Sequence, residues 1–198
     1  MLAVTSHVPY VRLAAPEDQD SIMEMSRMVH EECGLRTSDN KPLPLSERKV
    51  GSLIEKAASK VSPLDPGEVW IGVIDNGTQL EGSVAIAMNN TWYSEIPHLV
   101  EIWTVVVPEF RKATMFTKNF DMLLDFSKAA AVALKLPLLM GFMSAERQPA
   151  KRRLYERSFG VQPYGEYFVF NGEGVFTARQ ERRKHVESRG LLQRNVAQ

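Results

Sequence analysis

The chain has 198 residues, of which 44% are hydrophobic and 24% are charged, as in a globular protein with one buried core. Its 24 basic and 24 acidic residues cancel, which disfavours nucleic-acid binding because general nucleic-acid binders are usually basic. The single cysteine, Cys33, excludes an intrachain disulfide, and the scattered histidines imply no metal. The N-terminus lacks a signal-peptide pattern and no apolar run reaches 18 residues. We therefore expect a cytoplasmic protein without membrane contact.

The first half of the chain changes from helical to strand periodicity after a proline-containing break at residues 62–67. Gly34 is predicted to end the first helix, and Asp75-Asn76-Gly77 is predicted to form a hairpin turn. The predicted elements are a strand over 8–13, a helix from Pro16 to about Glu32, a helix from Ser46 to Val61, and hairpin strands over 69–74 and 82–88.

The second half of the chain continues with alternating strands and helices. The predicted elements are a buried strand over 99–107, a helix from about Thr114, a strand over 136–143, a helix from Pro149 through Tyr155, and a strand over 162–170. This order predicts an α/β (α+β) fold, in which a mixed sheet carries helices on its faces. We expect residues 1–175 to form a single domain and residues 176–198 to be a basic tail, helical or disordered.

Glu101 is a charged residue in an otherwise apolar predicted strand. Strand alternation predicts that it shares a face with Trp103, Val105 and Val107. A cleft that partly desolvates this carboxylate would raise its pKa, which suits a general base. The alternative is a charge near the open end of the strand that faces solvent.

The segment from Pro108 to Thr117 joins this strand to the next predicted helix. Unpaired backbone N–H groups and the helix dipole make a helix N-terminus an anion site, and Arg111 and Lys112 would add positive charge. The alternative is an ordinary strand–helix connection with solvated basic residues.

Two segments resemble motifs of the GNAT superfamily of N-acyltransferases. The stretch Val106-x-Pro108-Glu109-Phe110-Arg111 matches the V-x-P-E-[YF]-R approach to the family's pyrophosphate loop, so that Arg111 takes the [QR] position of [QR]-x-x-G-x-[GA]. Further along, Leu154-Tyr155-Glu156-Arg157 matches the family's L-Y-[ED]-[KR], although the next glycine comes one residue late and Gln148 replaces the asparagine.

This resemblance implies a mixed central sheet of six to seven strands, with helices on both faces and a V-shaped split between the fourth and fifth strands. It implies that acetyl-CoA, or another acyl-CoA, is the co-substrate and lies in that split. The backbone of Val105, Val106 and Val107 would then bind the pantetheine arm. The pyrophosphate would be bound by Arg111 and by the backbone of Lys112, Ala113, Thr114, Met115, Phe116 and Thr117.

The resemblance also implies a mechanism of direct acyl transfer to an amine, without a covalent enzyme intermediate. An amine of ordinary pKa is mostly protonated at neutral pH, so a base must assist it, and Glu101 lies at the matching strand position. Tyr155 matches the tyrosine that protonates the departing thiolate. The acceptor, a small molecule or a protein, would be selected by residues 30–50 and 89–98.

The pyrophosphate loop departs from the family pattern, because Thr114 and Phe116 occupy its two small positions. A glycine lets backbone approach a phosphate closely, so this loop is degenerate. A second hypothesis follows, in which the chain is a catalytically weak or inactive GNAT-fold protein. Such a protein, which could be virus-encoded, would act by binding and modulating a partner protein. A homodimer is a further expectation for this chain.

Overall fold

The computed structural model describes residues 8–35, 41–59, 68–90, 95–141 and 148–160, leaving aside the side chains of 113–116 and 148. Contacts divide the chain into two compact units, Met1–Gly34 with Pro44–Gln162 and Leu35–Leu43 with Pro163–Gln198. All helices and strands named below belong to the first unit. The predicted final strand over 162–170, the boundary at residue 175 and the basic tail lie outside the described residues.

The described part of the first unit contains five strands, four α-helices and two short 3-10 turns. Their order matches the predicted order from the first strand through the last helix. The elements are β1 (Tyr10–Leu13), α1 (Gln19–Cys33), α2 (Glu47–Ala58), β2 (Val69–Asp75), β3 (Leu80–Asn90), β4 (Pro97–Val106), α3 (Ala113–Leu134), β5 (Leu138–Leu139) and α4 (Gln148–Phe159), with 3-10 turns at Pro16–Asp18 and Pro108–Phe110.

The strands form one mixed sheet in the order β1-β2-β3-β4-β5. Neighbours from β1 to β4 are antiparallel, while β5 is parallel to β4 and pairs with it at Leu99↔Leu138 and Val100↔Leu139. Beyond Val100, the outer edge of β4 has no strand partner within the described residues. The fourth and fifth strands therefore separate after two residue pairs, as predicted, and the sheet has five described strands where six to seven were predicted.

Apolar side chains cover both faces of the sheet. On one face, Ile22 and Met25 of α1 and Ile54 of α2 pack with β2, β3 and β4. On the opposite face, Leu123 of α3 packs against Ile86, Leu99 and Val106. The amphipathic stripes that predicted the helices therefore face the sheet, and helices lie on both of its faces.

A β-bulge in β4 corrects the predicted orientation of Glu101. Ala85 pairs with Trp103 and Ile86 pairs with Glu101, so Ile102 is an extra residue without a partner on β3. The bulge resets the alternation, so that Glu101 pairs with a residue of the α3 face while Trp103 and Val105 lie on the α1–α2 face. The prediction that these three residues share a face was wrong, because strict alternation holds only in a regular strand.

The N-terminal elements are joined by a part-buried ion pair between the buried Asp18 and the partly exposed Arg12. Arg12 of β1 binds both oxygens of Asp18, at 2.6 and 2.9 Å, and its Nε donates to Asp75 of β2 at 2.8 Å. The Ala15 N–H also donates to Asp18, at 2.8 Å. Burial alone would raise the pKa of Asp18, but these hydrogen bonds outweigh it and hold the pKa below its ordinary value of 3.8.

Replacing Asp18 by alanine is expected to lower the free energy of unfolding by about 3 kcal/mol. This is the low end of the range for breaking a buried ion pair, because Arg12 keeps Asp75 and some solvent contact. Urea unfolding at pH 7 measures the effect, and the exposed Asp20→Ala serves as the control. Because the pKa of Asp18 is lowered, its contribution should persist above pH 3.8 and disappear as pH falls below it. Equal stability of the two variants at pH 7 would contradict this account.

Candidate active site

Glu101 lies where β4 and β5 separate. The last pair of the two strands is Val100 with Leu139, and the carboxylate Oε2 of Glu101 then accepts the N–H of Gly141 at 3.0 Å. The Glu101 side chain thus accepts the Gly141 N–H, a hydrogen bond that a backbone carbonyl of β4 would accept if the parallel ladder continued. It remains partly exposed to solvent at this opening.

Tyr155 of α4 reaches the same carboxylate. Its hydroxyl donates to Glu101, with Oη 3.0 Å from Oε1 and 3.2 Å from Oε2. The ring is positioned by an edge-on contact with Phe120 of α3, at 5.4 Å between centroids, and by stacking on Phe159 at 6.2 Å. The two residues predicted to be catalytic are therefore in direct contact, although 54 positions separate them in the chain.

The surroundings of this pair perturb both of its ionisable groups. Burial raises the pKa of Glu101 from 4.5 to about 7, and the nearby Thr104 hydroxyl together with the hydrogen bonds from Gly141 and Tyr155 only partly opposes this shift. Burial and the adjacent charge of Glu101 raise the pKa of Tyr155 well above its ordinary value of 10. At neutral pH, Glu101 therefore lies close to its midpoint of titration, whereas Tyr155 carries its proton.

Thr104 is a polar residue of the site that the sequence did not single out. It pairs with Val84 and so lies on the same face of β4 as Glu101. Its Oγ1 is buried and has no hydrogen-bond partner within the described parts of the chain, although it lies close enough to help lower the pKa of Glu101. A buried hydroxyl without a partner is costly, so it marks a position where a ligand could complete the bonding. An unbroken alternation would have placed Thr104 on the opposite face from Glu101.

At the end of β4, the backbone N–H and C=O groups of successive residues point alternately toward β3 and toward the outer edge of the sheet. The N–H of Val107 donates to the carbonyl of Glu81 on β3, at 2.8 Å, and Val105 pairs with Ser83. By the alternation of antiparallel pairing, the backbone groups of Val106 face the outer edge, where the carbonyl accepts Arg111 Nε at 2.6 Å. Of the three valines predicted to bind pantetheine, Val106 faces the opening between β4 and β5.

Arg111 is held by the protein itself. Besides the Val106 carbonyl, its guanidinium forms an ion pair with Glu32 near the end of α1. The residue predicted to bind an anion thus joins α1 to the end of β4. Lys112, by contrast, is exposed at the N-cap of α3.

The predicted phosphate-binding residues Ala113, Thr114, Met115 and Phe116 form the first turn of α3, and Thr117 follows them. No acidic residue lies in that turn, so its positive end is not neutralised locally. The side chains of Thr114 and Phe116 are outside the described set, and the effect of these residues on phosphate binding therefore stays a prediction.

A second polar cluster lies beside the end of β4 and was not predicted. The buried carboxylate of Glu81 accepts Asn76 Nδ2 at 2.9 Å and Asn119 Nδ2 at 2.8 Å. Asn119 belongs to α3 and is 1% exposed, so the cluster ties that helix to β3. The sequence signal was limited to Asn119, an amide at helical spacing from Phe116 and Leu123, because Glu81 precedes the predicted strand over 82–88.

Of the described residues, Cys33, His30 and His98 supply none of the hydrogen bonds and ring contacts given above for Glu101 and Tyr155. Burial raises the pKa of the Cys33 thiol, which disfavours the reactive thiolate. Among the described residues, no group of three His, Cys, Asp or Glu side chains could hold a metal ion. Within the same residues, none of the helices combines the length and apolarity needed to cross a bilayer.

Solved structures share this fold, although no protein-family model and no curated protein matches the sequence. One is a probable acetyltransferase, 16% identical, with a TM-score of 0.57 over 83% of this chain and 99% of the other. A second is AAC(6')-Iy in complex with a bisubstrate analogue, CoA-S-monomethyl-acetylneamine, 8% identical, with a TM-score of 0.57 over 84% and 99%. A third is a predicted acetyltransferase with acetyl-CoA from Clostridium acetobutylicum, 14% identical, with a TM-score of 0.57 over 83% and 96%.

These likenesses extend over more than four-fifths of this chain and nearly the whole of each other chain. The chain therefore has the fold of the GNAT superfamily of acetyltransferases, which the two sequence motifs predicted. The pair of Glu101 and Tyr155 lies at the opening between the fourth and fifth strands of this fold.

Proposed function

We propose that this chain is an N-acyltransferase that moves an acetyl or other acyl group from acyl-CoA directly to an amine. The observation that carries the proposal is the hydrogen bond between Tyr155 and Glu101 where β4 and β5 separate. It brings together a carboxylate whose pKa is near neutrality and a hydroxyl that stays protonated. Acetyltransferases with the same fold, two of them holding a CoA analogue or acetyl-CoA, support the proposal.

The chain offers polar groups that fit the acyl-CoA. The amides and the thioester carbonyl of its pantetheine arm need hydrogen-bond partners, and the Thr104 hydroxyl and the outer-edge backbone of Val106 can supply them. Its phosphates need positive charge, which Lys112 and the first turn of α3 supply. In this proposal Val105 and Val107 support the strand through β3, and Arg111 supports it through Glu32.

Glu101 acts as the general base. Its carboxylate is desolvated enough to hold a proton near pH 7, yet it keeps contact with solvent through which an amine can approach. A base whose pKa lies near the working pH is the most effective, because much of it is ionised while it still binds a proton well. The amine reacts as the free base, its first proton having gone to solvent, and its nitrogen gives one further proton to Glu101 as the new N–C bond forms.

Tyr155 acts as the general acid. As the C–S bond breaks, its hydroxyl gives a proton to the thiolate sulfur. Glu101 then holds the proton taken from nitrogen, and its contact with Tyr155 lets that proton pass to the phenolate oxygen. One proton leaves nitrogen and one reaches sulfur, so the pair returns to its starting state after each transfer.

Acetyl-CoA binding and thiol release test the proposal. Acetyl-CoA at one hundred times its Kd should raise the stability of the chain by about 2.7 kcal/mol, which is visible as a thermal shift. Release of the CoA thiol should then depend on an added amine, tested with a panel that includes polyamines, aminoglycosides and lysine peptides. Absence of binding at millimolar acetyl-CoA would contradict the proposed enzyme function and would favour the alternative, a protein that acts by binding a partner.

A further inference from the structure

A cavity of about 440 Å³ lies between the start of α3 and one side of α4. Its described lining residues are Thr117 of α3 and Ala150, Arg153, Leu154 and Arg157 of α4, and the two arginines are exposed at its mouth. This volume is within the range of small-molecule sites in proteins. The walls combine apolar side chains with two guanidinium groups, so the cavity fits an anionic ligand.

The two arginines have no acidic partner in the described residues. They lie four positions apart on α4, where like charges repel each other. Glu156, the acid closest to them in sequence, binds Arg152 instead, at 2.9 Å. An anion between Arg153 and Arg157 would relieve this repulsion, and the planar guanidinium groups match the oxygen atoms of a phosphate.

The cavity adjoins the candidate active site. Leu154 precedes Tyr155 in the chain, and Thr117 lies one helical turn before Phe120, whose ring contacts Tyr155. A ligand whose reactive end lies at Tyr155 could therefore extend a phosphorylated end along α4. Arg111, which the loop motif suggested for this purpose, is already bound by Glu32 and the Val106 carbonyl.

We propose that Arg153 and Arg157 bind the phosphate groups of acyl-CoA in this cavity. In this proposal the side chains of α4 add phosphate contacts to those of Lys112 and the first turn of α3, where Thr114 and Phe116 occupy the two small positions of the motif. This inference rests on the proposed acyl-CoA-dependent function. It goes beyond that function by naming the residues that distinguish CoA from a shorter thioester.

The test compares Arg153→Gln and Arg157→Gln with Arg152→Gln, which removes the same charge from the same helix outside the cavity. Calorimetric titration with CoA should show binding weakened by about tenfold or more in each of the first two variants, as for the loss of a charge-assisted hydrogen bond. Arg152→Gln should bind CoA as the unmodified chain does. The kcat/KM with S-acetyl-pantetheine, which has no phosphate, should be equal in all four proteins.

Dephospho-CoA, which lacks the 3′-phosphate, identifies the phosphate that is bound. If the arginine variants no longer differ with this ligand, the cavity binds the 3′-phosphate, and if the difference persists, it binds the pyrophosphate. Both results support the proposal. Normal CoA binding by Arg153→Gln and Arg157→Gln would overturn it and leave the acyltransferase function intact, whereas failure of the unmodified chain to bind CoA or use either thioester would overturn both.

Discussion

Replacing Glu101 by glutamine is expected to lower kcat by about 10²- to 10⁴-fold, the range for loss of a general base. Glutamine keeps the shape of the side chain and can still accept the Gly141 N–H, so the fold should be retained. In the unmodified chain, kcat/KM should rise with pH through about 7 as Glu101 ionises, and this rise should be missing in Glu101→Gln. The assay uses an acceptor amine whose pKa lies well below that of Glu101, so that ionisation of the substrate does not contribute to the rise.

The same substitution is expected to stabilise the protein above pH 7. Because the pKa of Glu101 is raised on folding, the folded state holds its proton between pH 4.5 and about 7 while the unfolded state has released it. Stability of the unmodified chain therefore falls as pH rises through this window. The shift corresponds to about 3 kcal/mol at most, which the solvent contact of Glu101 reduces to about 1–2 kcal/mol.

Urea unfolding at pH 4 and pH 8 measures this effect. Glu101→Gln should match the unmodified chain at pH 4 and exceed it at pH 8, whereas Glu55→Gln, at an exposed position of α2, should change neither value. A gain in stability together with a loss of turnover would show that Glu101 is kept for chemistry. Full activity in Glu101→Gln, or lower stability at pH 8, would refute the assignment of Glu101 as a desolvated base.

Replacing Tyr155 by phenylalanine is expected to lower kcat by about 10²-fold, near the low end for loss of a general acid. The effect is smaller than for Glu101 because a thiolate is a good leaving group, with an ordinary thiol pKa of about 8.5. The phenylalanine ring keeps the contacts with Phe120 and Phe159, so packing should be preserved. The defect should shrink as pH rises above the pKa of the thiol, where protonation of sulfur is no longer needed.

Loss of the Tyr155 hydroxyl should also move the titration of Glu101. That hydroxyl donates to the carboxylate and lowers its pKa, so the pH profile of Tyr155→Phe should shift to higher pH. Tyr10→Phe, which makes the same chemical change at a half-exposed position of β1, should leave both rate and profile unchanged. An unaltered profile in Tyr155→Phe would contradict the hydrogen-bonded pair, and an unaltered kcat would contradict its role as an acid.

The sequence alone determined the elements and their order, because hydrophobic periodicity and the positions of glycine and proline are local properties. Gly34 illustrates this, since it follows α1 with a φ of 62°, a conformation that glycine adopts without strain. The match to two motifs in the correct order predicted the fold. The sequence also suggested Glu101 and Tyr155 as candidates, since a carboxylate in a buried strand and the Leu154-Tyr155-Glu156-Arg157 motif can both be seen without coordinates.

The orientation of these side chains was decided by tertiary structure. An apolar run such as 99–107 carries no sign of the bulge at Ile102, because a bulge depends on pairing with β3 rather than on the residues of β4. The bulge turns Glu101 toward the α3 face, where Thr104 lies and where Tyr155 and Gly141 reach it. The raised pKa of Glu101 follows from burial by these distant segments. This burial cannot be read from the residues next to Glu101 in the sequence.

For Arg111 as well, the sequence predicted the residue type and its element, whereas the tertiary structure decided its partners. A basic residue between a strand and a helix predicts an anion site, and the sequence contains no sign that Glu32, 79 positions earlier, would bind it. Arg153 and Arg157 of α4 are the opposite case. Folding places them beside a cavity, and neither has an acidic partner in the described residues. Local patterns thus determined which elements form and which residue types they carry. Which charges are paired, buried or left for a ligand was decided by contacts between segments far apart in the chain.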